Sequence, residues 1–219
     1  MTDESVIIGN NSVARVVDRD ARRRQIVEAA ASQFARTGFE ATLMDDVAAA
    51  AGVSKGSLYA SFTNKEDLFY AVFEWLQGQL LQTSLAHMKV GGSAKEQLVA
   101  FAEAGVGAFV DHVALYPVTL EVWAAAAKTG TRHRFAEAMQ RLYVDYRSQI
   151  SVLLRAAQGA GEIRRDAEIE VLSAVLVGAV DGLLLQYWLD PKFDPRAWVR
   201  VFLQSLFDGI AVKTGKGKS

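Results

Sequence analysis

The run Gly52-Val53-Ser54-Lys55-Gly56 has the G-x-S-x-G spacing of a hydrolase nucleophile elbow, in which a strained strand-to-helix turn exposes a serine oxygen for attack on a carbonyl. That chemistry requires a strand rich in β-branched residues immediately before the serine. The residues standing there, Asp45 to Ala51, read DDVAAAA and spell a helix. His87, His112 and His133 are scattered, none in H-x-x-x-H spacing, and there is no Gly-rich phosphate loop. No catalytic residue, metal ligand or cofactor is therefore expected, and Ser54 reads instead as the cap of a short helix.

Composition narrows the class. The chain has 219 residues, 51% hydrophobic, with three prolines and no cysteine. It can bury one larger domain with a small appended one, or a single helical unit, and scarce proline with abundant Ala, Leu and Val favours helix. Disulfides, thiolate catalysis and the usual zinc-finger ligand sets are excluded. The N-terminal MTDESVIIGNNSVARV carries acidic residues where a signal peptide carries positive charge, so a cytoplasmic location is expected. Val171 to Leu189 is nearly long enough to span a bilayer. A carboxylate at its middle, Asp181, costs about 2.5–3.5 kcal/mol on insertion scales, and its flanks Asp166, Glu168, Glu170 and Asp190 are acidic. The expectation is no membrane span but a soluble helix buried on nearly every side, which needs partners on more than one face and bears on the oligomer.

The formal net charge is −1, and residues 1–68 carry eight Lys/Arg against ten Asp/Glu, so no basic-domain argument holds. The local cluster Arg15, Arg19, Arg22, Arg23 and Arg24 against Asp18 and Asp20 is either a solvated helix start or a DNA-facing patch.

The elements that must position Ser54 follow from spacing. Ile26, Ala30 and Phe34 recur every four residues from about Arg22, and Gly38 supplies a stop. Thr42 is expected as the next N-cap, with Asp45 as its capping-box partner and Leu43, Val47, Ala48 and Ala51 as the apolar face ending at Gly52. Ser54 then caps a very short helix that turns Leu58 and Phe62 inward, and Asn64, with Asp67 three positions on, opens a fourth helix whose apolar face begins at Leu68. Two short helices joined by a Gly-containing turn are the parts of a helix-turn-helix, with Lys55 to Ala60 as its recognition helix.

The run R-x-x-I-x-x-A-A-x-x-x-F-x-x-x-G-F-x-x-T followed by V-A-x-x-A-G-V-S-x-G-x-L-Y-x-x-F-x-x-K-E-x-L, from Arg23 to Leu68, resembles the DNA-binding domain of the TetR family of bacterial transcription regulators. EVWAAAA at Glu121 to Ala127 and VGAVDGLLLQYWLDPKFDP at Val177 to Pro195 resemble the C-terminal domains of its betaine-regulator-like branch. The fold implied is all-α, about nine helices: a flexible arm (1–20), a three-helix DNA-binding domain (21–68), a helical regulatory and dimerisation domain (69–212) and a basic tail (213–219). The function implied is a ligand-responsive repressor that binds a palindromic double-stranded DNA operator as a dimer and is released by a small-molecule inducer. A helical small-molecule- or partner-binding protein without DNA binding is the alternative, because the N-terminal third has no basic excess.

On this reading Thr42 and Ser54 offer hydroxyls and helix N-termini to phosphates, Gly56 and Ser57 let the backbone approach base edges, and Lys55 reaches a guanine or a phosphate. Tyr59 and Lys65 match family positions that clamp the DNA backbone; Ala60 and Ser61 depart from the aromatic residues common there. Inducer-binding aromatics implied by the resemblance are Trp75, Phe101, Phe109, Trp123, Tyr143, Tyr146 and Tyr187, with Gln186 as a polar group, although each can equally be core. Asp181 is either a ligand partner or a structural carboxylate, the latter preferred. The last helix, opened by the cap pair Asp194-Pro195, has two stripes: Trp198, Phe202 and Ser205, and Val199, Leu203, Leu206 and Ile210. A helix apolar on two sides points to a homodimer through 171–189 and 196–212.

Overall fold

A computed structural model of the chain describes residues 5–88, 91–127 and 133–211, with side chains from Arg19 onward. The expected basic tail and most of the expected arm's side chains lie outside the described residues. Every long element among the described residues is helical: α1 (Ser5–Ala41), α2 (Met44–Ala50), α3 (Lys55–Ser61), α4 (Lys65–Ala86), α5 (Ala94–Asp111), α6 (Tyr116–Ala126), α7 (His133–Gly159), α8 (Ile169–Leu189) and α9 (Pro195–Ile210). The backbone of α1 begins upstream of the Arg22 start that apolar spacing suggests, because no proline interrupts the segment.

The chain divides into two compact units, one formed by residues up to Leu76 together with Ala114–Ala125, the other by Gln77–Val113 and the residues from Ala126. In the first, Ile26, Ala30 and Phe34 of α1, Val47 of α2, Leu58 of α3, Phe62 and Leu68 are almost wholly buried. Phe34 meets Phe69 edge-on at 5.0 Å, and Phe39 closes the cluster 4.9 Å from Phe69. Where the stop is expected α1 kinks: Gly38, inside its range, adopts the non-helical φ 75°, a region that favours glycine, and a last turn runs on to Ala41.

The second unit packs α5, α7, α8 and α9 around Leu98, Phe101, Leu154, Leu176, Leu203 and Phe207. Its α5 starts with a Ser93–Glu96 capping box, and Glu162 adds a carboxylate that accepts from the N–H groups of Ala94 (3.2 Å) and Lys95 (3.0 Å). Asp194 caps α9 by accepting from Arg196 and Ala197, with Pro195 at the first turn, as the sequence leads one to expect. From there the Arg196 guanidinium donates to the Gly107 carbonyl (3.1 Å) and to Asp111 (3.0 Å). A Cβ at position 107 would stand 2.9 Å from Arg196 Nε, so a larger residue there would push the guanidinium from this position.

Within the single chain α8 is covered on one side: Ile169, Ser173, Leu176 and Val177 are its buried residues, because α5, α7 and α9 pack there. Its opposite face carries Val171, Val175, Leu185 and Leu189 exposed. The helix is apolar and long enough to cross a membrane, by length and composition. On α9 the two stripes separate: Val199, Leu203 and Ile210 point into the core as read from the sequence, Phe207 joins them there and Leu206 is only partly buried, while Trp198, Phe202 and Ser205 are exposed together with Val201.

Candidate functional site

α2 and α3 are each seven residues long, too short to persist alone, so they are held by caps and by burial. Ser54 Oγ accepts the N–H of Ser57 at 3.1 Å, which satisfies one of the otherwise unpaired donors at the start of α3. The serine of the G-x-S-x-G run is thus a helix cap preceded by a helix. Leu58, 0% exposed, and Phe62 pin one side of α3 to the core. Ser54, Lys55, Gly56, Tyr59 and Ala60 lie exposed, Tyr59 by 51%. A Cβ on Gly56 would meet only Ser54 Oγ, at 3.9 Å, so its missing side chain serves no internal packing and leaves the outer backbone bare.

Side chains of α1 fix this short helix in place. Arg23 Nη1 donates to the Ser61 carbonyl at 2.8 Å, at the end of α3, with its guanidinium 4.1 Å above the Phe62 ring. Gln25 Nε2 donates to the Ala51 carbonyl at 2.7 Å, at the end of α2. Within the arginine cluster, Arg23 is therefore a structural tie.

Three expected DNA contacts stand differently from the sequence reading. Thr42 is 2% exposed; its hydroxyl donates to the Gly38 carbonyl (2.7 Å) and pairs with Thr37 Oγ1 (2.9 Å). The residue flanking α2 is Leu43, exposed and without a capping side chain, so both the Thr42 cap and the inward Leu43 are corrected. Asp45, freed from the expected capping box, ion-pairs with Lys55 at 2.5 Å, and that carboxylate hydrogen bond raises the Lys55 ammonium above its usual range. Lys65 donates to the Glu40 carbonyl at 2.9 Å and sits 4.6 Å from the Phe39 ring centroid, bracing the end of α1. Asn64 does cap α4, its Oδ1 accepting from the Asp67 N–H (2.8 Å), while Asp67 Oδ2 reaches one residue further back to accept from the Thr63 N–H (3.3 Å) and hydroxyl (3.2 Å).

One anchor had no sequence signal. Glu121 of α6 accepts the Phe39 N–H with both carboxylate oxygens, at 3.1 and 2.9 Å. Gly38 makes room, since a Cβ there would stand 3.0 Å from Glu121 Oε1. A part-buried amide deprived of an ionised acceptor costs about 1–3 kcal/mol. Glu121→Ala is expected to destabilise the first unit by that amount, read as a lowered first transition in calorimetry.

The expected inducer residues divide. In the second unit, Tyr143 Oη on α7 donates to Asp181 Oδ2 on α8 at 2.7 Å, and the Phe101 ring of α5 meets Tyr146 edge-on at 6.4 Å. Burial, then the charge of Asp181, pushes the Tyr146 phenol up to about 12, and burial raises the Asp181 carboxyl against the lowering effect of Tyr143. Phe109 is buried in α5. Gln186 is exposed and donates to the Gly182 carbonyl (3.1 Å). Tyr187 joins Phe193 (5.9 Å, edge-on), which stacks on Trp198 at 4.3 Å. Trp75, half-buried on α4, and Trp123, 48% exposed on α6, belong to the first unit. Among the described residues no three His, Asp or Glu side chains are grouped to hold a metal.

Comparison with known proteins bears on this arrangement. Residues 26–72 match the model of bacterial regulatory proteins of the tetR family, and residues 94–211 match that of the C-terminal domain of BetI-type transcriptional repressors. An HTH-type transcriptional regulator of Bacillus subtilis is 30% identical over 76% of this chain and 80% of its own. A nicotine-responsive HTH-type transcriptional repressor of Paenarthrobacter nicotinovorans is 30% identical over 80% of this chain and 87% of its own. Among solved structures, a transcriptional regulator from Pseudomonas aeruginosa PAO1 superposes with a TM-score of 0.73 at 26% identity, covering 87% of this chain and 90% of that one.

Proposed function

The chain belongs to the TetR family of bacterial transcriptional regulators, and from that premise we propose that it is a cytoplasmic repressor that binds a palindromic operator as a homodimer and is released by a small-molecule inducer. It is a regulator, not an enzyme. The observation that carries the DNA reading is the two-sidedness of α3, whose Leu58 is buried while Lys55, Gly56 and Tyr59 face outward. Ser54, Lys55, Gly56, Ser57 and Tyr59 form the reading surface; Thr42 and Lys65 act behind it by bracing the end of α1. Residues 21–68 carry DNA recognition and 69–212 carry regulation and pairing.

Exposed apolar stripes on α8 and α9 support pairing of two copies through 171–189 and 196–212. Two reading heads related by a two-fold axis address half-sites about 34 Å apart. The inducer reading is supported by the helical C-terminal match, by the nicotine response of one relative, and by the group Phe101, Tyr143, Tyr146 and Asp181. A small-molecule panel tests it: a true inducer raises the melting temperature and releases operator, and a panel with neither effect removes the claim.

Operator binding is tested by fluorescence anisotropy on the DNA flanking the protein's own gene, across a salt series. Tighter binding than to scrambled DNA, falling steeply with salt, is the expected result; equal affinity for both removes the specific-repressor reading. Tyr59→Ala separates contact from fold. Its side chain is half in solvent, so the melting curve stays put, while loss of a hydrogen bond to a charged phosphate weakens operator binding by about 1.5–3 kcal/mol.

A further inference from the structure

Lys55 opens α3 at the edge of the surface just described, and its ammonium is held 2.5 Å from Asp45 Oδ2 in the first turn of α2. Both side chains are exposed, at 68% and 53%, so the pair contributes little to the fold. Asp46 beside it is also acidic and exposed. A reading head that brings carboxylates toward a polyanion forfeits non-specific attraction, and residues 1–68 have no positive excess to make up for it. Such an arrangement calls for a compensating gain.

We propose that Asp45 is a specificity-determining residue, which holds the Lys55 ammonium for base edges and denies it to phosphates. An ammonium has three N–H donors on a flexible stem; by itself it is a point charge that any phosphate satisfies. With one donor committed to Asp45, two remain. The N7 and O6 acceptors of a guanine are neutral and can take them without opposing the carboxylate. A phosphate in the same place brings a second negative charge against Asp45. The pair therefore favours the contact that carries sequence information over the one that does not.

This inference rests on the operator-binding reading. Operator and scrambled duplexes are titrated by anisotropy across a salt series against the full chain, Asp45→Asn, Lys55→Gln and the double variant. Melting curves confirm that all four fold. Asp45→Asn is expected to bind scrambled DNA roughly three- to tenfold more tightly, with the salt slope steeper by about one, while operator affinity changes less than twofold. Discrimination thus falls by the same three- to tenfold factor. In the Lys55→Gln background the Asp45 substitution leaves discrimination unchanged, which a double-mutant cycle reads directly. Unchanged discrimination in Asp45→Asn, or an equal fall with and without Lys55, overturns the proposal. If the unsubstituted chain does not prefer its operator, the operator reading fails first and this inference falls with it.

Discussion

Val175→Arg is expected to yield a monomer that binds operator about 10²- to 10⁴-fold more weakly, with each protomer still folded. Val175 is 60% exposed on the outward stripe of α8, between Val171 and the small residues Gly178 and Gly182, so a guanidinium there meets solvent in the single chain and does not disturb its core. In a four-helix interface between two copies the same group is buried without a counter-charge, a penalty of about 3–5 kcal/mol for each copy. The loss of DNA affinity follows from linkage: in a dimer the second half-site engages at an effective concentration set by the protein, and that advantage disappears when the heads separate. Sedimentation equilibrium and anisotropy on one sample check both halves. A variant that stays dimeric with unchanged affinity sinks the proposed interface.

Leu58→Ala is expected to destabilise the first unit by about 2–5 kcal/mol and to abolish operator binding through unfolding of α3. The helix has seven residues, and Leu58 is its one buried residue, with Phe62 flanking it. The Ser54 cap contributes about 1 kcal/mol and cannot replace a fully buried leucine. A loss of this size is a large part of a domain's usual 5–15 kcal/mol. Circular dichroism melting should show the early transition moved down, and DNA binding should be lost even where Tyr59 is intact. Binding retained at the temperature of the assay would show that the Arg23–Ser61 tie and the Ser54 cap hold α3 without the leucine.

How much of this was legible in the sequence depends on the range of each interaction. Ser54, Asn64 and Asp194 were readable as caps because a cap acts within three residues of its own position. The inward turn of Leu58 and Phe62 was readable from helical period, and so were the two stripes of α9. Thr42 was misassigned because the α2 boundary lies one residue later, which buries the threonine and exposes Leu43. The ties of Lys55 to Asp45, Lys65 to Glu40 and Arg23 to Ser61 cross 10, 25 and 38 residues, and no local pattern announces them. The apolarity of α8 says that its surface must be covered but not by what, and within the single chain only the side carrying Ile169, Ser173, Leu176 and Val177 is. The aromatic set was drawn from residue type alone, and the fold distributes it among the Tyr143–Asp181 group, the Tyr187–Phe193–Trp198 stack and the first unit.

The carboxylate clasp on Phe39 also bears on how the molecule can be dissected. Its acceptor comes from 82 residues downstream, in a segment whose Val118 and Val122 are themselves buried. A fragment cut after Leu76 would keep every residue of the helix-turn-helix and still be missing the acceptor that closes it. The compact unit that holds the reading head is therefore discontinuous in the chain, and excision that respects only the linear order leaves out part of it.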